Sequence, residues 1–412
     1  SGSDYDAIQQ FDAMLAETGT VIRNQWLREP PSLQGGFMDL LGILRAGRDL
    51  RGLSAELRHR LLQMFTSSAA DIIDRWFESP MVRSMYASHC VSGNNASFYH
   101  PGSAIPFFHH ALGEFDGEEC GWGLARGGMG SITQAMASFA RSNGVEIRTD
   151  AAVDKVIVKN GRAVGVALED GEEIYAKTIA SAADPYVTFR KLIDEKELPE
   201  DLVSAIDKFK FRGSSGKVNL ALDTAPKFSA MTDPAFLRGM MEICPSVDYI
   251  EQAYDDAKYD AFSKRPFADV DIPTMVDPSM APPGKHVMSC FIQYASYDMP
   301  EYGNRDQQRD AFGNAVIDTL AEFIPNLKDI ILHKQVLTPW DIEQETGLTE
   351  GNIFGGERPL DQLFFFRPAA GWADYRTPPR HHYQCGSGVH RGGGLPSGPG
   401  RLGAMEILLD GN

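Results

Sequence analysis

The first part of the chain carries apolar residues at the spacing of an amphipathic helix. A helix is predicted from Tyr5 to Trp26, and the sequence Glu29-Pro30-Pro31 would end it, because proline removes a backbone donor and clashes with the preceding turn. Five apolar residues would share one face of this helix: Ile8, Phe11, Leu15, Ile22 and Trp26.

Two more helical stretches follow, over Phe37–Leu50 and Leu53–Ser79. Ser68 and Asp71 have the spacing of a capping box, which would start a helix just after Ser68. The opening of the chain is therefore expected to be helical. We favour burial of its apolar faces in a core; a peripheral membrane contact is the alternative.

A glycine turn followed by a helix is predicted at Ala125–Ser142, which reads ARGGMGSITQAMASFARS. Ser131 lies near the start of the helix, and Asn143-Gly144 would end it. Four residues are spaced for one buried face: Ile132, Ala135, Met136 and Phe139.

Strands are predicted next. Val145–Arg148 is expected to be a strand, and the turn dipeptides Asn160-Gly161 and Asp170-Gly171 predict two hairpins. The alternating runs that flank these turns include Val153–Val158 and Ala163–Leu168. Thr178–Ala183 is expected to be a strand of small residues.

The stretch from Asp184-Pro185 to Trp340 mixes helices and strands without a regular βαβ repeat. The pattern predicts helix to about Lys210, a strand at Lys217–Leu222, a helix at Ser246–Asp260, a buried strand at Val287–Tyr294 and a helix at Asp306–Phe323. This order favours an α+β domain.

The tail, His381–Leu409, is predicted to form a strand, a glycine-dense turn and a helix. Such glycines let backbone N–H groups approach a ligand that a Cβ would block, and the helix start would favour an anion. From this segment alone an ordinary loop is an equal alternative. The helix would face a core with Leu402, Met405, Ile407 and Leu408.

Composition and motifs argue against several classes of function. Among the 412 residues, 43% are hydrophobic and 23% charged, as in globular proteins, and the formal net charge of −17 argues against nucleic acid as a partner. Five scattered cysteines fit a reducing compartment, cytoplasm or organelle matrix, and neither a zinc site nor another metal site is predicted. The motifs of nucleophile-elbow hydrolases, zinc metalloproteases and P-loop NTPases are absent from the sequence.

Several motifs together resemble the phytoene-desaturase-like FAD oxidoreductases, over nearly the whole chain. They are GWGLARGGMGSITQAMA, NGRAVGVALEDGEEI with ASAADP, MAPPGKHVMSCFIQYA, GNIFGGERPLDQLFFFRP and YQCGSGVHRGGG. The resemblance implies a fold of α/β and α+β type, the two-domain flavin oxidoreductase fold of amine oxidases and phytoene desaturases. One domain would be a Rossmann-type FAD lobe, here incomplete, and the other an α+β substrate domain.

The resemblance also sets domain boundaries. We expect a helical part of the substrate domain at 1–120, an FAD-lobe segment of helix and β-meander at 121–188, the α+β substrate domain at 189–340 and a return to the FAD lobe at 341–412. The strand, G-x-G-x-x-G turn and helix with which these enzymes open has no counterpart here, so a nucleotide-binding βαβ unit is expected to be missing. In the returning segment, Phe364–Phe366 are expected to pack on both sides of an extended strand.

The family's roles transfer to matching positions. FAD is the implied cofactor, and the implied reaction is removal of a hydride from an apolar or amphipathic small molecule. The cofactor-binding residues would be Gly127, Gly128, Met129, Gly130, Val153, Gly386, Ser387, Gly388, Arg391, Gly393 and Gly394. Arg391 replaces the family's usual proline. His390 is the catalytic candidate, with a hydrogen-bonded loop histidine as an equal alternative; Tyr294, Tyr375 and Arg376 are weaker candidates.

Three other interpretations stay open. The chain, lacking the βαβ unit, could be a cofactor-free binding or assembly protein; it could be a redox-neutral isomerase that uses reduced flavin; or it could resemble amine oxidases, which would require an aromatic cage beside the flavin. An unfinished nucleotide lobe would leave sheet edge and apolar surface uncovered, which favours a homo-oligomer.

Overall fold

The structure of the protein is a computed structural model that describes residues 2–26, 28, 37–111, 113–115, 118–119, 123–231, 233–390, 392 and 398–411. The chain divides into two compact units, each built from three separate segments. Unit 1 comprises Ser1–Ala13, Ser67–Ile147 and Gly213–Glu345, and unit 2 comprises Met14–Thr66, Arg148–Arg212 and Thr346–Asn412. The four-part division expected from the sequence stays a prediction.

The α-helices of the described residues are α1 Gly2–Trp26, α2 Phe37–Gly52, α3 Ala55–Thr66, α4 Ala69–Trp76, α5 Pro80–Val91, α6 Pro106–Ala111, α7 Gly130–Ser142, α8 Glu200–Asp207, α9 Val247–Ala257, α10 Arg305–Phe323, α11 Leu327–Ile330, α12 Pro339–Thr346 and α13 Gly398–Asp410. Among these described helices, none has both the length and the apolar character needed to cross a membrane.

The strands are β1 Glu114–Phe115, β2 Glu118–Glu119, β3 Val153–Lys159, β4 Arg162–Leu168, β5 Glu173–Tyr175, β6 Ile179–Ser181, β7 Ser215–Leu222, β8 Met241–Ile243, β9 Phe262–Asp271, β10 His286–Ala295, β11 Ile331–Leu337 and β12 His382–Gln384. The predicted strands at Lys217–Leu222 and Val287–Tyr294 are thus confirmed as β7 and β10.

Unit 1 contains a five-stranded antiparallel sheet in the order β11-β7-β10-β9-β8. Alternate residues of these strands point into one core, where Met288 and Ile292 of β10 are fully buried together with Leu320 of α10. A glycine is required at position 216 of β7, because a Cβ there would overlap the ring of Phe312. The sheet therefore has one apolar face that α10 covers and a second face with a different composition.

The predicted start of α4 in unit 1 is confirmed. The Ser68 hydroxyl accepts a hydrogen bond from the Asp71 N–H, and the Asp71 carboxylate accepts one from the Ser68 N–H, which is the complete capping box.

Unit 2 is built around the meander β3-β4-β5 and the short parallel pair β6 and β12. The Asn160-Gly161 hairpin is confirmed, since both residues have positive φ (54° and 68°) as the favoured two-residue turn requires. A shared core joins the meander to the helical turns that follow it, through Val156, Ala163, Phe189, Ile193, Leu202, Ile206 and Ala369.

Helix α7 forms where it was predicted, but the expectation that its apolar face is buried is wrong. No residue of α7 is buried, and Ile132, Met136 and Phe139 are 45%, 52% and 73% exposed. Helical spacing shows which residues share a face but not whether another element lies against it, and among the described residues none does.

The strand predicted at Val145–Arg148 is also wrong. The N–H of Val145 donates to the carbonyl of Ala140 (3.1 Å) and so completes the end of α7. A strand needs a neighbour to accept its ladder hydrogen bonds, and the described residues supply none to this segment.

Three smaller expectations are corrected. Phe364–Phe366 form a turn of 3₁₀ helix instead of an extended segment, and Phe364 has a positive φ of 53°. On α13, Leu402 is buried, but Met405 and Leu408 are 40% and 68% exposed. The helix expected up to Lys210 is broken into a π-helical turn, a 3₁₀ turn and α8.

Candidate functional site

The glycine turn of the tail follows β12 in unit 2. Strand β12 pairs in parallel with β6, and the Cys385 N–H donates to the carbonyl of Ser181 (2.8 Å), which carries the pairing up to the turn. Gly386 lies so close to Ala182 that a Cβ at position 386 would overlap the carbonyl oxygen of Ala182. The parallel pair therefore fixes where the turn begins.

A second glycine segment of unit 2, residues 352–357, lies against this turn. The Asn352 side chain accepts hydrogen bonds from the N–H groups of Phe354 and Gly356 (both 3.0 Å), which holds the segment in a tight loop. A Cβ on Gly388 would overlap the ring of Pro185 and lie 3.2 Å from the carbonyl oxygen of Gly355. We call the two segments, residues 352–357 and 386–388, the paired glycine loops.

Asp184 anchors the same region from the end of β6. Its carboxylate is buried and accepts from the N–H groups of Val187 (2.9 Å) and Thr349 (2.8 Å). The small-residue strand predicted at Thr178–Ala183 thus leads into a buried carboxylate that ties two loops of unit 2 together.

The paired glycine loops contain two adjacent backbone donors. Within the described part of the chain, no acceptor is hydrogen-bonded to the N–H groups of Ser387 and Gly388. Adjacent backbone donors of this kind suit an electron-rich or anionic atom. The cofactor-binding roles predicted for Gly386, Ser387 and Gly388 stay predictions.

Arg367 lies behind these loops and is 1% exposed. Its guanidinium donates only to backbone carbonyls among the described residues: those of Phe354 (2.9 Å), Gly356 (3.2 Å), Glu357 (2.9 Å), Gln362 (3.3 Å) and Ser387 (3.1 Å). Burial lowers the pKa of Arg367 to about 9, so the group still carries its charge at neutral pH. Sequence reasoning missed this role, because the partners lie 5 to 20 positions away.

His390 is buried, 2% exposed, and its Nε2 atom lies 3.1 Å from the carbonyl oxygen of Arg28. The Tyr375 hydroxyl donates to the His390 carbonyl (3.2 Å). These contacts fit a hydrogen-bonded loop histidine, and a role beside a reacting centre stays a prediction. Arg376, a weaker candidate, forms ion pairs with Glu406 and Asp410.

The other predicted cofactor residues do not belong to the paired glycine loops. Gly127, Gly128, Met129 and Gly130 belong to unit 1, where the Gly127 N–H donates to Asp277 Oδ2 (2.7 Å). The Ser279 hydroxyl and that N–H hold the pKa of Asp277 below its usual value. Val153 begins β3 in unit 2 and is exposed. Arg391, Gly393 and Gly394 lie outside the described residues.

Sequence reasoning also missed a group of charged side chains on the second face of the unit 1 sheet. Lys217, Phe291, Asp269 and Glu242 are cross-strand neighbours in one row across β7, β10, β9 and β8. Asp271 follows Asp269 on the same face of β9. We call Lys217, Glu242, Asp269 and Asp271 the charged face.

The charged face has unusual electrostatics. Burial, with Glu242 and Asp271 nearby, raises the pKa of Asp269 to about 8, and burial lowers the pKa of Lys217. Two carboxylates directly opposite each other on neighbouring strands, Glu242 and Asp269, destabilise a sheet unless a proton or a cation offsets them. The alternation in Ala268–Asp271, read as ADVD, is the sequence signal that could have revealed this face.

Comparison with known proteins shows the family to which the chain belongs. Residues 9–358 match a family model described as flavin containing amine oxidoreductase. A rat protein, pyridine nucleotide-disulfide oxidoreductase domain-containing protein 2 of Rattus norvegicus, is 35% identical over 379 residues, which cover 89% of this chain and 64% of the relative. A phytoene desaturase (lycopene-forming) of Pseudescherichia vulneris is 25% identical over 87% of this chain and 67% of its own length.

The fold has counterparts among solved structures. An oxidoreductase from Methanosarcina mazei, 18% identical, matches with a TM-score of 0.52 over 87% of this chain and 74% of its own. The chain spans less than two thirds (64%) of the rat relative that it matches.

Proposed function

Because the chain belongs to the flavin-containing amine oxidoreductase family, we propose that it acts in the FAD-dependent oxidation of an apolar or amphipathic small molecule. The family membership confirms the phytoene-desaturase-like resemblance, the flavin oxidoreductase fold and FAD as the cofactor predicted from the sequence. Substrate and reaction are our proposal.

The observation that carries the proposal is the pair of glycine loops in unit 2. Contacts with Ala182 and Pro185 require glycine at positions 386 and 388, and the Ser387 and Gly388 N–H groups have no acceptor among the described residues. These residues fit a ligand with electron-rich atoms, and they would hold FAD by backbone hydrogen bonds. When bound, FAD supplies the hydride acceptor.

The test is a visible-absorbance titration of the purified protein with FAD. We expect a saturable, perturbed flavin band that survives desalting for the wild type. Gly388→Ala should weaken FAD binding by about tenfold or more, since the new Cβ would displace the turn and its donors by enough to lose a hydrogen bond.

Gly400→Ala is the matched control, because a Cβ at this exposed position of α13 meets nothing within 4 Å. It should bind FAD as the wild type does. Absence of a saturable change in the wild type would reject the proposal and favour a cofactor-free binding or assembly protein.

A further inference from the structure

Arg367 joins three parts of unit 2 through one buried side chain. It reaches residues 354–357 of the first glycine loop, Gln362 and Ser387 of the second glycine loop, all through carbonyl oxygens. Both Nε (3.3 Å) and Nη2 (3.1 Å) donate to the Ser387 carbonyl, so this peptide is held at two points.

The charge of Arg367 has no carboxylate bonded to it within the described part of the chain. The nearest candidate in sequence, Glu357, uses its carboxylate to pair with Arg212 (2.8 Å between Nη2 and Oε2). The carbonyl oxygens satisfy the hydrogen-bond donors of Arg367. They do not neutralise its charge, and a buried cation that lacks a counter-ion is costly. Such a charge points to a negative partner that the described residues do not supply.

The geometry of the Ser387–Gly388 peptide determines which way its N–H points relative to Arg367. In a trans peptide the carbonyl oxygen and the next N–H point to opposite sides. Because Arg367 binds the Ser387 carbonyl, the Gly388 N–H points away from Arg367. The cation also polarises the peptide between them, which makes that N–H a stronger donor.

We propose that Arg367 is a positioning residue for FAD, which fixes and polarises the Ser387–Gly388 peptide so that the Gly388 N–H binds an electron-rich atom of the flavin. This inference rests on the proposed function. It further implies that the charge favours the reduced flavin, which carries more negative charge than the oxidised form.

Two substitutions separate geometry from charge. Arg367→Lys keeps the charge but cannot reach five carbonyls with three donors, so FAD affinity should fall about tenfold or more while the flavin midpoint potential changes little. Arg367→Gln removes the charge, so it should both weaken binding and make the midpoint potential more negative.

Phe189→Leu controls for general destabilisation, because Phe189 belongs to the core of unit 2 and not to the paired glycine loops. It should lower the melting temperature as the Arg367 variants do but leave FAD affinity within about twofold. Equal loss of FAD affinity in Phe189→Leu, or unchanged affinity and potential in both Arg367 variants, would overturn the inference.

Hydrogen exchange on the wild type keeps the test independent of how the variants fold. FAD should slow exchange of the peptide that contains residues 386–390, and unchanged exchange in protein shown to bind FAD would also overturn the inference. A wild type that binds no FAD would instead reject the proposed function, so the two failures differ.

Discussion

At the residue scale, the Asp269 carboxyl makes the stability of the protein depend on pH. Its pKa of about 8 in the folded protein exceeds the value near 4 of an unfolded aspartate, so the folded state holds the proton more tightly. Stability that this proton provides is complete below about pH 4 and is lost as pH rises through 8.

Asp269→Asn should therefore be more stable than the wild type at pH 8 and close to it near pH 4. The gain should reach a few kcal/mol, because a tenfold difference in proton affinity between the folded and unfolded states corresponds to about 1.4 kcal/mol. Urea unfolding at several pH values measures the difference. Asp154→Asn, on an exposed position of β3, is the matched control. A constant difference between Asp269→Asn and wild type across this range would contradict the assignment.

Single residues were predictable where the chemistry is local. Gly386 and Gly388 stand out because the tail of the sequence is dense in glycine. In the structure, a Cβ at either position would overlap a neighbouring residue. Two features were not predictable: the hydrogen bonds from Arg367 to the carbonyls of the paired glycine loops, and the Glu242–Asp269 pair. Each depends on how segments far apart in sequence are brought together. The roles assigned to individual cofactor residues and to His390 stay predictions.

At the element scale, α7 presents an unusual surface for a helix of a folded protein. Met129, Ile132, Met136 and Phe139 form a continuous apolar stripe, and Met129 and Phe139 are 79% and 73% exposed. Exposed apolar stripes promote self-association, and the homo-oligomer expected from the sequence stays a prediction.

The double substitution Met136→Glu with Phe139→Glu should leave the melting temperature nearly unchanged, because exposed positions contribute within about 0.5 kcal/mol. It should also reduce self-association measured by light scattering. Leu320→Glu, at a fully buried position of α10, serves as the contrast and should unfold unit 1. A large loss of stability in the double variant would show that the stripe is covered.

Helices and hairpins were predictable from the spacing of apolar residues and from turn residues. The wrong predictions of burial and of a strand share one cause. α1, α4, α10 and the Asn160-Gly161 hairpin follow from local signals and are confirmed. The burial of α7 and the strand at Val145–Arg148 depend on a neighbouring element, which local pattern does not reveal. The same holds for Met405 and Leu408 on α13.

At the scale of the whole molecule, the two units have separate cores. Leu320 belongs to the unit 1 core and Leu202 to the unit 2 core, and both are almost fully buried. Each Leu→Ala substitution should cost about 2–5 kcal/mol. If the cores unfold as separate cooperative units, calorimetry will show two transitions, and each substitution will lower a different one.

The two matched Leu→Ala variants control for each other. One transition that both substitutions lower equally would show that the cores unfold together. In that case FAD, which we place in unit 2, would stabilise the whole chain through mass action; otherwise it would raise only the transition that Leu202→Ala lowers.

The interleaved segments of the two units also set an order for synthesis. The ribosome completes β7 to β11 of unit 1 before it reaches Arg367 and the Gly386–Gly388 turn. Residues 14–66 and 148–212 of unit 2 are made early but wait for 346–412, which supply Ala369 of their core. A nascent chain can therefore close its sheet before the paired glycine loops are synthesised. If these loops hold FAD as proposed, the cofactor binds only late in the maturation of this protein.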